Sequence, residues 1–183
     1  MGINVQESSI IAATAGTLFE NDGGTLIIQN LLVSDVDAAA VVATANAGTS
    51  IFQESRVTAS GVDDVMAAST GSSQSVVDVT VSNMRRISRA FSASGSNTKM
   101  LLSQVRVLDN SFTTKWTIAS ASLSAEATIS DSLFLNNDGL EFAVSAVGSE
   151  TKMSILGTSI LSNVGVTVRS HLIGYFSFVL EKY

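Results

Sequence analysis

From Thr25 onward the chain repeats one pattern of apolar and polar positions. A short alternating stretch is followed by a polar residue, a second apolar pair, and then Asn, Asp or Ser. Six stretches line up: TLIIQNLLVSD from Thr25, TSIFQESRVTA from Thr49, QSVVDVTVSN from Gln74, KMLLSQVRVLD from Lys99, ATISDSLFLNN from Ala127 and KMSILGTSILS from Lys152. Their anchors Val33, Val57, Val81, Val107, Phe134 and Ile160 stand 24, 24, 26, 27 and 26 residues apart. A period of two, as at Leu26 and Ile28 or Met100 and Leu102, predicts strands with one buried face. Val, Ile, Thr and Ser are abundant and long helical stripes are missing, which agrees with strands and excludes a helical reading.

Between the copies runs a second family of short apolar segments: VVATANAG, VMAASTGS, AFSASGS, WTIASAS and FAVSAVG. Each is followed by a Gly- or Ser-rich bend, so each turn is expected to carry a third strand. Two or three strands per repeat, with no helix to return the chain, describe a parallel β-solenoid whose coils stack about 4.8 Å apart. The predicted architecture is one all-β domain of about six coils of 24–27 residues with capped ends. Residues 1–24 are read as an N-terminal cap and first partial coil, 25–165 as the coils, and 166–183 as a C-terminal strand or cap. Ile28, Phe52, Val76, Leu102, Ile129 and Ile155 should form one continuous core, thickened by Phe91, Trp116 and Phe142.

The phrases GGTLIIQNLLVSD and ATISDSLFLNND resemble repeats of right-handed parallel β-helix proteins, of the pectate-lyase-like and polymorphic outer-membrane-protein types. The resemblance covers roughly residues 25 to 165. It implies a right-handed coil, as parallel crossovers generally favour, and an extracellular or surface-associated setting. It leaves activity open, because such scaffolds serve as enzymes, adhesins and structural proteins.

Composition narrows the function classes. Charged residues make up 14% of the chain and hydrophobic ones 45%, so the surface must be largely Ser, Thr, Asn, Gly and Ala. A net charge of −6 argues against a nucleic-acid binder, which needs clustered cations facing phosphates. With no cysteine, disulfides and thiolate metal sites are excluded. No proline interrupts the strands, so each can donate its backbone N–H groups to a neighbouring coil. No apolar run reaches the roughly 20 residues of a membrane-spanning helix. The start, MGINVQESS, has no basic segment followed by an apolar one, and no secretion signal is expected within this chain.

Stacking turns positions into columns. The column Asn30, Glu54, Asp78, Gln104, Asp131 and Gly157 is polar in five of its six places. Glu54, Asp78 and Asp131 are therefore the candidates for acid–base work on a glycoside or for a cation site. The alternative is that this position turns the corner between two strands and the side chains satisfy free backbone groups. A second column, Asp35, Asn83, Asp109 and Asn136, broken by Ala59 and Ser162, suits a left-handed bend.

Arg85, Arg86 and Arg89 cluster, with Arg56 and Arg106 near the same edge. They could clamp a carboxylated sugar or an acidic partner, or form a solvated face balanced by Asp63 and Asp64. His171 has no plausible Ser or Cys partner nearby, so neither a triad nor a metal site is expected, and no cofactor is implied. Small residues at Thr44, Ala45, Ala68, Ser69, Ser92, Ala93, Ser120, Ala121, Ser145 and Ala146 could pack under a loop or present a flat face to polysaccharide or ice. The tail HLIGYFSFVLEKY is bulky enough to cap the last coil, or to dock on a partner.

The expected function is a non-catalytic structural or interaction module, displayed on a surface or built into a larger assembly, with association through the solenoid ends or the aromatic tail. The competing classes are a carbohydrate-active enzyme and a flat-face binder of polysaccharide or ice.

Overall fold

A computed structural model describes residues 2–164, 169–171 and 176–178, with side chains at 2–14, 16–111 and 117–164. It is a parallel β-solenoid. Every described strand pair is parallel, and partners lie one repeat apart. Val33 stands beside Val57, then Val81, Val107, Phe134 and Ile160, in unbroken register. Following Gly2 to Thr25, Thr49, Ser73, Lys99, Glu126 and Lys152 winds six turns.

Each turn crosses three faces, termed the first, second and third sheets. The long first strands join the first two into one 13-stranded sheet, and the third is a separate 7-stranded sheet among the described residues. The first holds the five-residue strands Thr49–Gln53, Ser73–Val77, Lys99–Ser103, Glu126–Ser130 and Lys152–Leu156. The second holds the three-residue strands Arg56–Thr58, Thr80–Ser82, Arg106–Leu108, Leu133–Leu135 and Ser159–Leu161. The third holds long strands: Thr14–Asp22, Asp37–Ala45, Gly61–Ser69, Arg86–Ser94, Ser111–Ser122 and Asp138–Val147. In the first two coils Gly2–Ile11 and Thr25–Ser34 run unbroken through both the first and second sheets. Residues 2–24 thus contribute two long strands that pair with the next coil along their length.

Single left-handed residues turn the corners. Between the first and second sheets, Glu7, Asn30, Glu54, Asp78, Gln104, Asp131 and Gly157 have φ from 47° to 56°. Between the second and third, Ala12, Asp35, Ala59, Asn83, Asp109, Asn136 and Ser162 have φ from 49° to 58°. One such residue breaks the in–out alternation, so that Phe52 and Ser55, flanking the Gln53–Glu54 bend, both face inward and are buried. A left-handed L-residue costs about 1–2 kcal/mol, least for Asn and Asp, and the corner offsets it with hydrogen bonds between coils. The N–H of Glu54, Asp78, Gln104 and Asp131 each donates to a carbonyl of the next coil at 3.0–3.1 Å.

The interior is one apolar column. Ile28, Phe52, Val76, Leu102 and Ile129 are wholly buried, Ile155 nearly so, and the anchors from Val33 to Phe134 are buried with them. Phe91 joins this core, whereas Phe142 is half-buried and stands outside it. The side chain of Trp116 lies outside the described residues. On the third sheet most of the small residues are buried, Ser92 and Ser145 among them. Thr44, Ala68, Ala93, Ala121 and Ala146 stack in register on the buried side, while Ala45 and Ser69, one residue on, are more exposed.

The cap expected of residues 166–183 and its aromatic cluster lies outside the described side chains. The backbone of Arg169–His171 and Phe176–Phe178 extends the third and first sheets by pairing with Asp138–Val147 and Lys152–Leu156.

Candidate functional site

The acidic column lines an open groove that runs along the first corner. One hollow of about 520 Å³ is lined by Asn30, Glu54, Asp78, Arg56, Thr80 and Arg106 among others. A second of about 340 Å³ continues it past Gln104, Asp131 and Gly157, and Asp78 and Arg106 belong to both. Corner side chains form one wall. The outward row of the second sheet, with Arg56, Thr80 and Arg106 in direct register, forms the other.

Glu54, Asp78 and Asp131 therefore share one column, one coil apart in succession except for the intervening Gln104. All three are exposed. Glu54 accepts a hydrogen bond from Gln29 Nε2 at 3.0 Å, and Asp78 lies 3.6 Å from Arg106 Nη1. A Cβ at Gly157 would sit 2.8 Å from Asp131 Oδ1, so the column ends in glycine where that carboxylate leans across. These acids form bends in open solvent.

Arg85, Arg86 and Arg89 sit on a different edge, where the second corner meets the third sheet, and each reaches carboxylates of earlier coils. Arg85 Nη1 meets Asp35 at 2.5 Å, Arg86 Nη2 meets Asp37 at 3.0 Å and Nη1 Asp63 at 3.7 Å, and Arg89 Nη2 meets Asp64 at 2.8 Å. Two of these bridges skip a coil. Between Asp37 and Arg86 lies Gly61, whose added Cβ would stand 2.8 Å from Asp37 Oδ1. Between Asp35 and Asn83 in the corner column lies Ala59, too short to block Arg85. The carboxylates expected to balance the cluster, Asp63 and Asp64, do face it, joined by Asp35 and Asp37.

Asp64 is the one buried member, with its side chain 9% exposed. Burial pushes its carboxyl above the ordinary value. The Arg89 guanidinium and hydrogen bonds from Arg89 and Ser92 pull the other way, and Asp63 adds to the rise. The Ser92 hydroxyl donates to it at 3.1 Å.

Sequence reasoning missed the residues that fix the inside of the second corner. Asn110, Asn137 and Asn163 follow the left-handed position and point inward. Asn110 Nδ2 donates to Asn137 Oδ1 at 2.9 Å and to the Val81 carbonyl at 3.2 Å. Asn137 Nδ2 donates to Asn163 Oδ1 at 2.7 Å and to the Val107 carbonyl at 2.9 Å. Each Oδ1 also accepts a backbone N–H from the coil before it: from Met84, Asn110 and Asn137 respectively. Ser60 fills the same place in an earlier coil, accepting from Val36 N–H. The signal was present in the pairs Asp109–Asn110, Asn136–Asn137 and Ser162–Asn163, of which the first residue makes the bend and the second the ladder.

Among the described residues no group of three His, Asp or Glu is placed to hold a metal. No helix there is long and apolar enough to cross a membrane. No protein-family model matches the chain, and no curated protein matches it in sequence.

Proposed function

We propose that the chain is a rigid, non-catalytic β-solenoid that works as a structural or interaction module, on a surface or within a larger assembly. The observation that carries this reading is the use of the candidate acids. Glu54, Asp78 and Asp131 occupy left-handed corner positions with exposed side chains, so the fold itself accounts for polar, bend-tolerant residues in that column. The arginine cluster is engaged with its own chain's carboxylates and offers no free clamp. The resemblance of the repeat phrases to pectate-lyase-like and outer-membrane-passenger repeats is compatible with display on a surface and leaves activity open.

The continuity of the two hollows favours a second reading, in which the first-corner groove receives an extended polysaccharide without cleaving it. One experiment separates the classes. The full chain and a Glu54→Gln/Asp78→Asn variant are incubated with neutral and acidic polysaccharides while new chain ends and binding are measured. The module reading expects no new ends from either protein. Turnover that the double variant loses would establish an enzyme, and saturable binding without turnover would establish the second reading.

A further inference from the structure

The first-corner groove carries opposite charges on its two walls, and they are arranged coil by coil. The corner wall presents Glu54 and Asp78, and the sheet wall presents Arg56 and Arg106 with Thr80 between them in register. Arg106 is tied loosely to Asp78 at 3.6 Å. Arg56 is exposed and has no carboxylate within ion-pair distance among the described residues, unlike Arg85, Arg86, Arg89 and Arg106. A charge-matched partner at this groove brings a carboxylate to Arg56 and a cation to Glu54 at the same height along the axis. A polyanion meets the acidic wall and a polycation meets the arginines.

We propose that a second copy of this chain meets this face rim to rim, groove over groove, lying side by side and parallel and related by a two-fold axis that runs along the groove. Such an axis exchanges the two walls while keeping each coil at its own height. Glu54 of each copy then faces the partner's Arg56, so the pair forms twice, as an isologous contact requires. Gln104 and Asp78 face the partner's Arg106 and Thr80 by the same operation. An antiparallel pairing, with the axis across the groove, sets the corner acids of one copy against those of the other, and arginine row against arginine row. Like-charge juxtaposition of that kind is unfavourable, so the charge pattern selects the parallel arrangement. The inference names a partner for the interaction module proposed above and rests on that reading.

Charge swapping tests it directly. Sedimentation equilibrium of the full chain at low ionic strength, from micromolar to millimolar concentration, is expected to show a monomer–dimer equilibrium. Glu54→Arg and Arg56→Glu singly should each weaken the dimer at least about tenfold, because each sets like charges together twice. The double variant Glu54→Arg/Arg56→Glu restores complementarity and should recover most of the affinity. Both residues are exposed, and thermal melts of the variants show whether each is folded. A wild-type chain monomeric throughout, or single reversals that dimerise like wild type, would overturn the proposal. A monomeric chain without polysaccharide turnover leaves the scaffold reading standing, whereas a charge-dependent dimer with turnover removes that reading and keeps the interface.

Discussion

Two neighbouring asparagines show how far a single position in the coil decides a residue's work. Asn136 bends the chain at φ 54° and makes one exposed hydrogen bond, to Asp109 at 3.2 Å. Asn137, fully buried, bridges three coils. Removing a buried amide that leaves donors and acceptors unpaired costs about 1–3 kcal/mol, whereas one exposed hydrogen bond is worth roughly 0.5–1 kcal/mol. Asn137→Ala should therefore lower the urea midpoint well below that of Asn136→Gly, which removes the exposed bond without adding left-handed strain; equal losses would deny the ladder its role. Composition marked both residues as turn formers, and nothing in their letters separates the outward from the inward member until the corner is known to be one residue long.

Asp64 poses a residue-scale question of sign. Its folded pKa is raised, with burial the first cause, so the folded state holds the proton more tightly than the unfolded chain does. This group's contribution is then most favourable below the unfolded value of 3.8 and falls as pH rises through the raised one. The unfolding free energy of wild type minus that of Asp64→Asn should accordingly decline across that window and level off above it. A difference that climbs with pH would mean that Arg89 outweighs burial.

At the scale of the element, the corners and strands were legible and the links across coils were not. Alternation fixed which residues of Thr49–Gln53 or Lys99–Ser103 face inward, and a polar residue between two apolar stretches in five of six repeats suited a bend. The bridges from Arg85 and Arg86 pass over a short intervening residue, and such a reach becomes visible only once strands are stacked in register. Gly61→Ala tests that geometry. Its Cβ would crowd Asp37 Oδ1 at 2.8 Å and part Asp37 from Arg86, for a net loss of at most about 1 kcal/mol, the exposed ion pair and local strain being partly offset by the chain entropy that alanine saves. Ala59→Gly, at φ 49° in the column between Asp35 and Asn83, relieves a left-handed alanine and leaves the Arg85 bridge its room. It should raise stability by roughly 0.5–1 kcal/mol. Thermal melts of the two variants shifting in the same direction would contradict this account of the second corner.

Over the whole molecule, the same edge is held by two different chemistries. Coils from Asp35 to Arg89 are cross-linked outside the second corner by ion pairs, most of them about half exposed. Coils from Met84 to Asn163 are joined inside it by a buried, uncharged asparagine ladder. A solenoid's stability is close to a sum of nearest-neighbour terms, so coils can loosen separately. Salt acts on one chemistry only: at 1 M the screening length falls to about 3 Å, and exposed pairs lose their attraction while buried amide bonds do not. Each exposed pair is worth at most about 1 kcal/mol, so amide exchange in Asp37–Ala45 and Gly61–Ser69 should quicken no more than about five-fold on adding 1 M sodium chloride. Exchange in Leu133–Leu135 and Asp138–Val147 should hold steady. Uniform quickening along the axis, or loosening that begins at the asparagine ladder, would show that the ion pairs do not hold the first coils together.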